Sequence, residues 1–364
     1  MQPTTALLFL AGLALLLTGA EWLVRGASRL AAAAGVSPLV VGLTVVAFGT
    51  GAPEMAVSLQ SALSGTTEIA YGNVVGSNIL NVLVILGAAA VAAPLPVARQ
   101  LVRLDVPILI AASMLCLAMS LDGRITRGEG LGLALGSVLY FAWLLRESRK
   151  EKVAGPTEAY REEFGKSPKT PAGPLMNAAF VASGLAMLIL GSRFVVLGAV
   201  ELARLFGLSE LVIGITVIAA GTSLPELATS VLASLRGERD IAIGNVVGSN
   251  IFNLLAVLGT TAVVSPVGVP VPREAVYFDT PVMVAVAFAC LPVFLNGYRI
   301  ARWEGLLFLG YYGAYIAYLL LDATGHEALP RFSSVMALFV IPLTVLTLGV
   351  VTVRSLRARK TKLT

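Results

Sequence analysis

Charge is what this sequence has least of. Only 13% of its 364 residues are Asp, Glu, Lys or Arg, while 57% are hydrophobic, against about 25% and roughly 45 to 50% in soluble domains. So little charge cannot cover a water-facing surface, which excludes an ordinary soluble globule. Histidine is nearly missing: His326 stands alone in a polar break near Pro330, so neither a His-based zinc site nor a Ser-His triad has its parts, and enzyme chemistry of those kinds is not expected. Cysteine is limited to Cys116 and Cys290, each inside an apolar stretch, where a small polarisable side chain packs between helices. A disulfide framework and a metal cluster are both excluded. Basic patches interleaved with aromatics are also absent, so the net charge of +5 does not point to nucleic acid. No organic cofactor and no nucleic-acid partner are expected.

What the chain does have is long apolar runs. A spanning helix needs about 20 mainly apolar residues, and such windows fall at residues 5–24, 37–62, 69–93, 104–121, 128–145, 175–203, 210–235, 241–265, 277–295, 303–321 and 332–353. These eleven windows predict an all-α membrane protein whose partner is the lipid bilayer. The first window lacks basic residues before it and a small-residue cleavage site after it, so it reads as a retained helix rather than a signal peptide. One long polar interruption, residues 146–170, carries seven Lys/Arg and five Glu and reads as a linker.

Sliding the sequence against itself reveals a repeat. VVGLTVVAFGTGAPEMAVS at residues 40–58 matches LVIGITVIAAGTSLPELATS at 211–230, and YGNVVGSNILNVLVILG at 71–87 matches IGNVVGSNIFNLLAVLG at 243–259, both at an offset of 172. Glu54 falls on Glu226. Each copy holds five windows, an odd number, so the second copy enters the membrane in the opposite orientation. The expected organisation is a first five-helix repeat at 1–145, a cytoplasmic linker at 146–174, a second five-helix repeat at 175–322, and an additional C-terminal transmembrane helix with a basic tail at 323–364. Positive charge marks cytoplasmic loops. With the amino terminus outside, the inside loops and tail hold 20 Lys/Arg and the outside loops five, which predicts a multi-pass protein of the cell membrane with a cytoplasmic carboxyl terminus.

A carboxylate inside a spanning helix costs several kcal/mol, so Glu54 and Glu226 need a compensating partner. Each follows a proline (Pro53, Pro225) and a Gly-Thr pair (Gly49-Thr50, Gly221-Thr222). Proline removes a donor and opens the helix, which is expected to free carbonyls near Ala47 and Ala219. On the following span Ser77 and Asn81 share a helix face, as do Ser249 and Asn253. Carboxylate, carbonyl, hydroxyl and amide oxygens are what hard cations take, and broken helices paired across a pseudo-two-fold are a recurrent transporter device. Outside this group, Glu21 and Arg193 hold equivalent positions in spans one and six, which leaves a mutual ion pair or snorkelling open. Asp105 and Asp279 begin spans four and nine, where helix capping or ion access is expected.

GTGAPE with GNVVGSNILN, and GTSLPE with GNVVGSNIFN, resemble the paired repeats of the calcium/cation antiporter superfamily, and within it the prokaryotic sodium/calcium exchangers. The resemblance covers roughly residues 7–322. It implies a secondary active antiporter, not an enzyme, that exchanges Ca2+ for Na+ by alternating access, with the first and sixth helices sliding over the other eight. It further implies that calcium binds between Glu54 and Glu226, that Thr50 and Thr222 supply oxygens, that Ser77, Ser249 and Ser223 line flanking sodium sites, that Asn81 and Asn253 lie at the centre, and that Ala47 and Ala219 offer carbonyls. An H+-coupled antiporter of Ca2+ or another divalent cation is the alternative on the same scaffold, and a cation channel is the more distant one. Two departures stand out: Gly51 replaces the serine often found after the motif threonine, and Asn253 replaces an aspartate common in the second repeat. The site is left with two formal negative charges, which balance one Ca2+.

Overall fold

The computed structural model describes residues 3–65, 67–150, 174–206 and 219–363. Of the linker expected at 146–174, residues 151–173 lie outside the described residues and 146–150 continue a helix; residues 210–218 of the seventh window also lie outside. Where the chain is described, the apolar windows are helices: α1 (Pro3–Ala34), α2 (Pro38–Thr50), α3 (Ala52–Leu63), α4 (Thr67–Ala92), α5 (Leu101–Ser120), α6 (Arg127–Lys150), α7 (Pro174–Leu205), α8 (Leu224–Leu235), α9 (Arg239–Val264), α10 (Ala275–Leu295), α11 (Arg302–Ala323) and α12 (Leu329–Val353). Among the described residues nine helices are long and apolar enough to cross a membrane, and the pair α2 and α3, bent by 44°, makes a tenth. The protein is an all-α, multi-pass membrane protein, as the hydropathy predicts: with no water at depth, helices are the way a chain without a closed barrel satisfies its backbone.

Two helices form the centre. The most apolar stretch of α9 is 100% buried and that of α4 78%, against 6% for α12, so α4 and α9 lie inside the bundle while α12 sits at its edge against α10. Both central helices are interrupted by π-helical turns, Asn81–Leu86 in α4 and Asn253–Val257 in α9, each beginning at an asparagine singled out in the sequence. Such turns often mark functional sites.

Two small antiparallel pairings tie the loops. Leu95–Pro96 (β1) pairs with Arg299–Ile300 (β4), and Arg124–Ile125 (β2) with Val269–Pro270 (β3). The loops after α4 and α10 therefore share one end of the bundle, and those after α5 and α9 share another.

Helices α1 and α7 lie against each other along their length. In lipid there is little hydrophobic drive between helices, so close backbone approach must supply the attraction. Glycines at seven-residue intervals allow it: a Cβ on Gly19 would lie 2.8 Å from the Gly184 carbonyl oxygen, and one on Gly12 would lie 2.9 Å from that of Gly191. The pairing is antiparallel, with Gly12 beside Gly191 and Gly19 beside Gly184, which sets Glu21 level with Ala182. Arg193 is eleven residues further along, about 16 Å away at the helical rise. The two therefore do not pair. Glu21 instead binds Arg25 on its own helix and Arg236 at the end of α8, the latter at 2.7 Å.

The capping expected at Asp105 and Asp279 is not found either. Both residues close a π-helical turn with helix on either side, and neither makes a capping bond. Their carboxylates reach sideways, accepting from Tyr140 Oη at 2.9 Å and Gln100 Nε2 at 3.2 Å in one case, and from Tyr315 Oη at 2.8 Å in the other.

Candidate functional site

The site is built where two helices break. At Gly51 (φ −77°, ψ 0°) and Ser223 (φ −91°, ψ 8°) the chain leaves helical geometry. Proline at the second position then starts α3 and α8, where its missing N–H costs nothing. Glu54 and Glu226 consequently stand in the first turns of α3 and α8, and the positive end of each helix dipole faces its carboxylate and offsets part of the burial cost. Both side chains are 1% exposed. Among the described ion pairs none involves either glutamate.

Hydrogen bonds hold the two breaks against α4 and α9 in a crosswise pattern. Thr50 Oγ1 lies 3.1 Å from Asn245 Oδ1, while Asn245 Nδ2 donates to the Glu226 carbonyl at 3.4 Å and to Ser230 Oγ at 2.9 Å. In the other half Thr222 Oγ1 lies 3.4 Å from Asn73 Oδ1, and Asn73 Nδ2 donates to the Glu54 carbonyl at 3.2 Å and to Ser58 Oγ at 3.1 Å. Each threonine thus reaches across to the other half. Ser223 Oγ donates to Glu54 Oε1 at 2.9 Å and lies 3.3 Å from Ser77 Oγ.

The centre is a lattice of four asparagines. Asn81 Nδ2 donates to Asn250 Oδ1 at 2.9 Å, and Asn253 Nδ2 donates to Asn78 Oδ1 at 3.3 Å. Asn78 and Asn250 in turn send their amide nitrogens to each other's backbone carbonyls, both at 3.4 Å. With the nitrogens committed, the oxygens are left over. Asn81 Oδ1, Asn253 Oδ1, Glu54 Oε2, Glu226 Oε2 and Ser249 Oγ are all buried without a hydrogen-bond partner among the described residues. A buried acceptor left unpaired costs about 1–3 kcal/mol, more when charged, so five such oxygens on α3, α4, α8 and α9 call for a positive guest.

Of the residues singled out from the sequence, Glu54, Thr50, Thr222, Ser77, Ser223, Asn81, Asn253 and the backbone of Glu226 take part in the hydrogen-bonded network that joins the two breaks with α4 and α9, while Ser249 lies buried on α9 outside it. Ala47 differs in detail: its carbonyl is not released by Pro53 but accepts the Gly51 N–H at 3.0 Å, leaving one lone pair. At the second break the Ser223 N–H turns to Ala220 at 3.2 Å, with Ala219 opening the short turn Ala219–Gly221 before it. Asn73, Asn78, Asn245 and Asn250 were not anticipated, although their identity in both copies of GNVVGSN marks them. Among the described residues no group of three His, Cys, Asp or Glu is placed to hold a metal; the donors here are mostly neutral oxygens, which suits a cation that must also leave.

Comparison with known proteins gives a consistent picture. The sequence profile of the sodium/calcium exchanger protein family matches residues 4–146 and 176–321. The inner membrane protein YrbG of Escherichia coli is 36% identical over 88% of this chain and 97% of its own, and the sodium/calcium exchanger MaX1 of Methanosarcina acetivorans is 31% identical over 88% and 99%. A solved structure of the sodium-calcium exchanger NCX_Mj, soaked with 2.5 mM Na+ and 0.1 mM Ca2+, superposes with a TM-score of 0.73 at 29% identity, covering 87% of this chain and 99% of that one.

Proposed function

The chain belongs to the sodium/calcium exchanger protein family, a family of membrane cation antiporters, and from that premise we propose that it exchanges Ca2+ for Na+ by alternating access at a midplane site between Glu54 and Glu226. One observation carries the reading: two fully buried carboxylates that have no basic partner among the described residues, each with an oxygen that nothing among those residues satisfies. A structural glutamate in lipid pairs with Lys or Arg; among the described residues these two do not. Their two charges balance one Ca2+, and the carboxylate, amide and hydroxyl oxygens around them match the all-oxygen shell that calcium takes. Thr50, Thr222, Ser77, Ser223, Ser249, Asn81 and Asn253 supply neutral oxygens, with the carbonyls of Ala47 and Ala219 at the breaks. The Lys/Arg distribution supports an orientation with the amino terminus outside and the carboxyl terminus in the cytoplasm. Helices α1 and α7, joined backbone to backbone through Gly19 and Gly184, are the pair that moves as a unit against the rest.

Purified protein in vesicles, loaded with Na+ and diluted into Na+-free medium with no pH gradient, takes up Ca2+ on this reading. Glu54→Gln and Glu226→Gln each abolish uptake while remaining monodisperse in detergent. Uptake that follows a pH gradient alone transfers the counter-ion role to H+, and full transport by either glutamine variant removes the site.

A further inference from the structure

The two halves supply matched residues to each carboxylate, and the match fails at one cluster. Ser223 stands beside Glu54, with its Oγ shared between Glu54 Oε1 at 2.9 Å and Ser77 Oγ at 3.3 Å. The corresponding place beside Glu226 is Gly51. Glu226 has no serine donor there, and Ser249 Oγ, the counterpart of Ser77, is buried with no partner.

The surroundings differ in the same sense. A Cβ on Gly51 would lie 2.9 Å from the Phe252 ring and 2.9 Å from the Ala47 carbonyl oxygen. The centroid of that ring is 4.5 Å from the Phe48 ring, which is itself 4.5 Å from Phe141. In the other half Leu80 stands for Phe252 and Ala220 for Phe48. Since Tyr140 and Tyr315 hold equivalent aspartates, Ile316 stands for Phe141. Three aromatic rings are thus replaced by three smaller side chains, and where they are missing a cavity of about 280 Å³ opens, lined by Leu80, Ala220, Ser223, Leu224, Tyr312 and Ile316 among others. One flank of the site has a hydroxyl on the wall of a cavity; the other has an aromatic plug packed over a glycine.

We propose that the two flanks are unequal cation sites: the flank of Glu54, Ser77 and Ser223 binds a monovalent cation, and the flank of Glu226, Ser249 and Gly51 does not, being sealed by Phe48, Phe141 and Phe252. This rests on the exchange reading above and specifies its ion count. A cation entering the protein must regain from it the oxygens it gives up in water. On the open flank the Ser223 hydroxyl has room to rotate away from Glu54 and turn a lone pair to the ion. On the sealed flank the missing hydroxyl is replaced by ring carbon, which supplies no lone pair and keeps out the water that would substitute for it. Phe252 and Gly51 act together, because a side chain at position 51 needs the ring removed as well as a small shift of the Ala47 carbonyl.

The test uses the full-length purified protein, equilibrium dialysis against radioactive Na+, and Na+-driven Ca2+ flux in vesicles. Gly51→Ser combined with Phe252→Leu adds one bound Na+ per chain and raises the Hill coefficient of Na+ activation, whose upper limit is the number of sites. The reciprocal Ser223→Gly combined with Leu80→Phe weakens Na+ activation by about tenfold or more, as expected for a lost interaction of about 1.4 kcal/mol. The proposal is overturned if the first variant still exchanges but binds no additional Na+, or if the second keeps the wild-type Na+ dependence. Failure of the exchange reading has a different signature, a wild-type protein with no Na+-dependent Ca2+ flux.

Discussion

Replacing Asn250 by alanine tests whether the asparagine lattice aims the central oxygens. Asn250 Oδ1 is the acceptor for Asn81 Nδ2 at 2.9 Å, and that bond keeps Asn81 Oδ1 free. Without it a buried amide donor has no partner, at a cost of about 1–3 kcal/mol, or else the Asn81 amide turns over and puts N–H groups where a cation would sit. At about 1.4 kcal/mol per tenfold, Ca2+ affinity falls by roughly 5- to 150-fold. Asn253 keeps its own partner, Asn78 Oδ1 at 3.3 Å, while the Asn78 carbonyl loses the Asn250 Nδ2 donor at 3.4 Å. In vesicle flux assays Asn250→Ala therefore raises KM for Ca2+ strongly while the protein stays folded. The decisive measurement is a double-mutant cycle. If Asn250 acts through Asn81, the pair Asn250→Ala with Asn81→Ala binds Ca2+ no worse than Asn81→Ala alone, since residues acting through one interaction are not additive. Simple additivity, or an unchanged KM, refutes the argument.

Two further outcomes follow from the packing and from the loop before α9. Gly19→Val forces a side chain into the Gly184 carbonyl oxygen, 2.8 Å from the added Cβ; overpacking of this kind costs about 1–3 kcal/mol, so Tm in detergent falls, whereas Gly132→Ala, which meets nothing within 4 Å, does not lower it. Glu238 precedes α9, and burial raises its carboxyl above the usual 4.5, with the Asp240 charge adding to the effect. The folded protein holds this proton more tightly than the unfolded chain, so the contribution to stability is complete below the unfolded value and is lost as pH rises from there through the folded one. Glu238→Gln consequently raises Tm at neutral pH and flattens its decline between acid and neutral buffer; an unchanged pH profile would contradict this.

The helices were legible because lipid imposes one requirement on every window, enough apolar length, and the sequence meets it without tertiary help. The glutamates were legible for the opposite reason: a charge that breaks an apolar run, repeated at a fixed offset, has few structural explanations. Interhelical register was not legible. Nothing in the spacing of Asn78 and Asn250 says that their side-chain oxygens receive Asn253 and Asn81, because those bonds join residues 175 and 169 positions apart. The same gap explains Glu21. Equivalence by repeat suggested Arg193, but an antiparallel pair carries equivalent residues to different depths, and the cations at hand are Arg25 on α1 and Arg236 just after α8. At Asp105 and Asp279 the start of a hydrophobic window suggested a cap, whereas the π-helical turns run on into helix and leave no terminal N–H groups to satisfy.

On the proposed reading, the unpaired oxygens also bear on why transport is coupled at all. With no cation, Glu54 and Glu226 are two carboxylates at 1% exposure that repel one another, and any conformation that closes both faces must hold them away from water. Ionised carboxylates in that state cost several kcal/mol each, and a barrier raised by even 4 kcal/mol slows a step about a thousandfold. A bound Ca2+ cancels the pair and removes that penalty. Monovalent ions do the same, and on the proposed asymmetry of the flanks a cation held by Ser77 and Ser223 reaches Glu54 directly, whereas Glu226, with Gly51 in the place of that serine, depends on a cation held by the central oxygens of the lattice. Coupling in such a carrier therefore arises from the electrostatic cost of closing while empty, and the strictness of exchange is set by how completely the remaining ions neutralise Glu226.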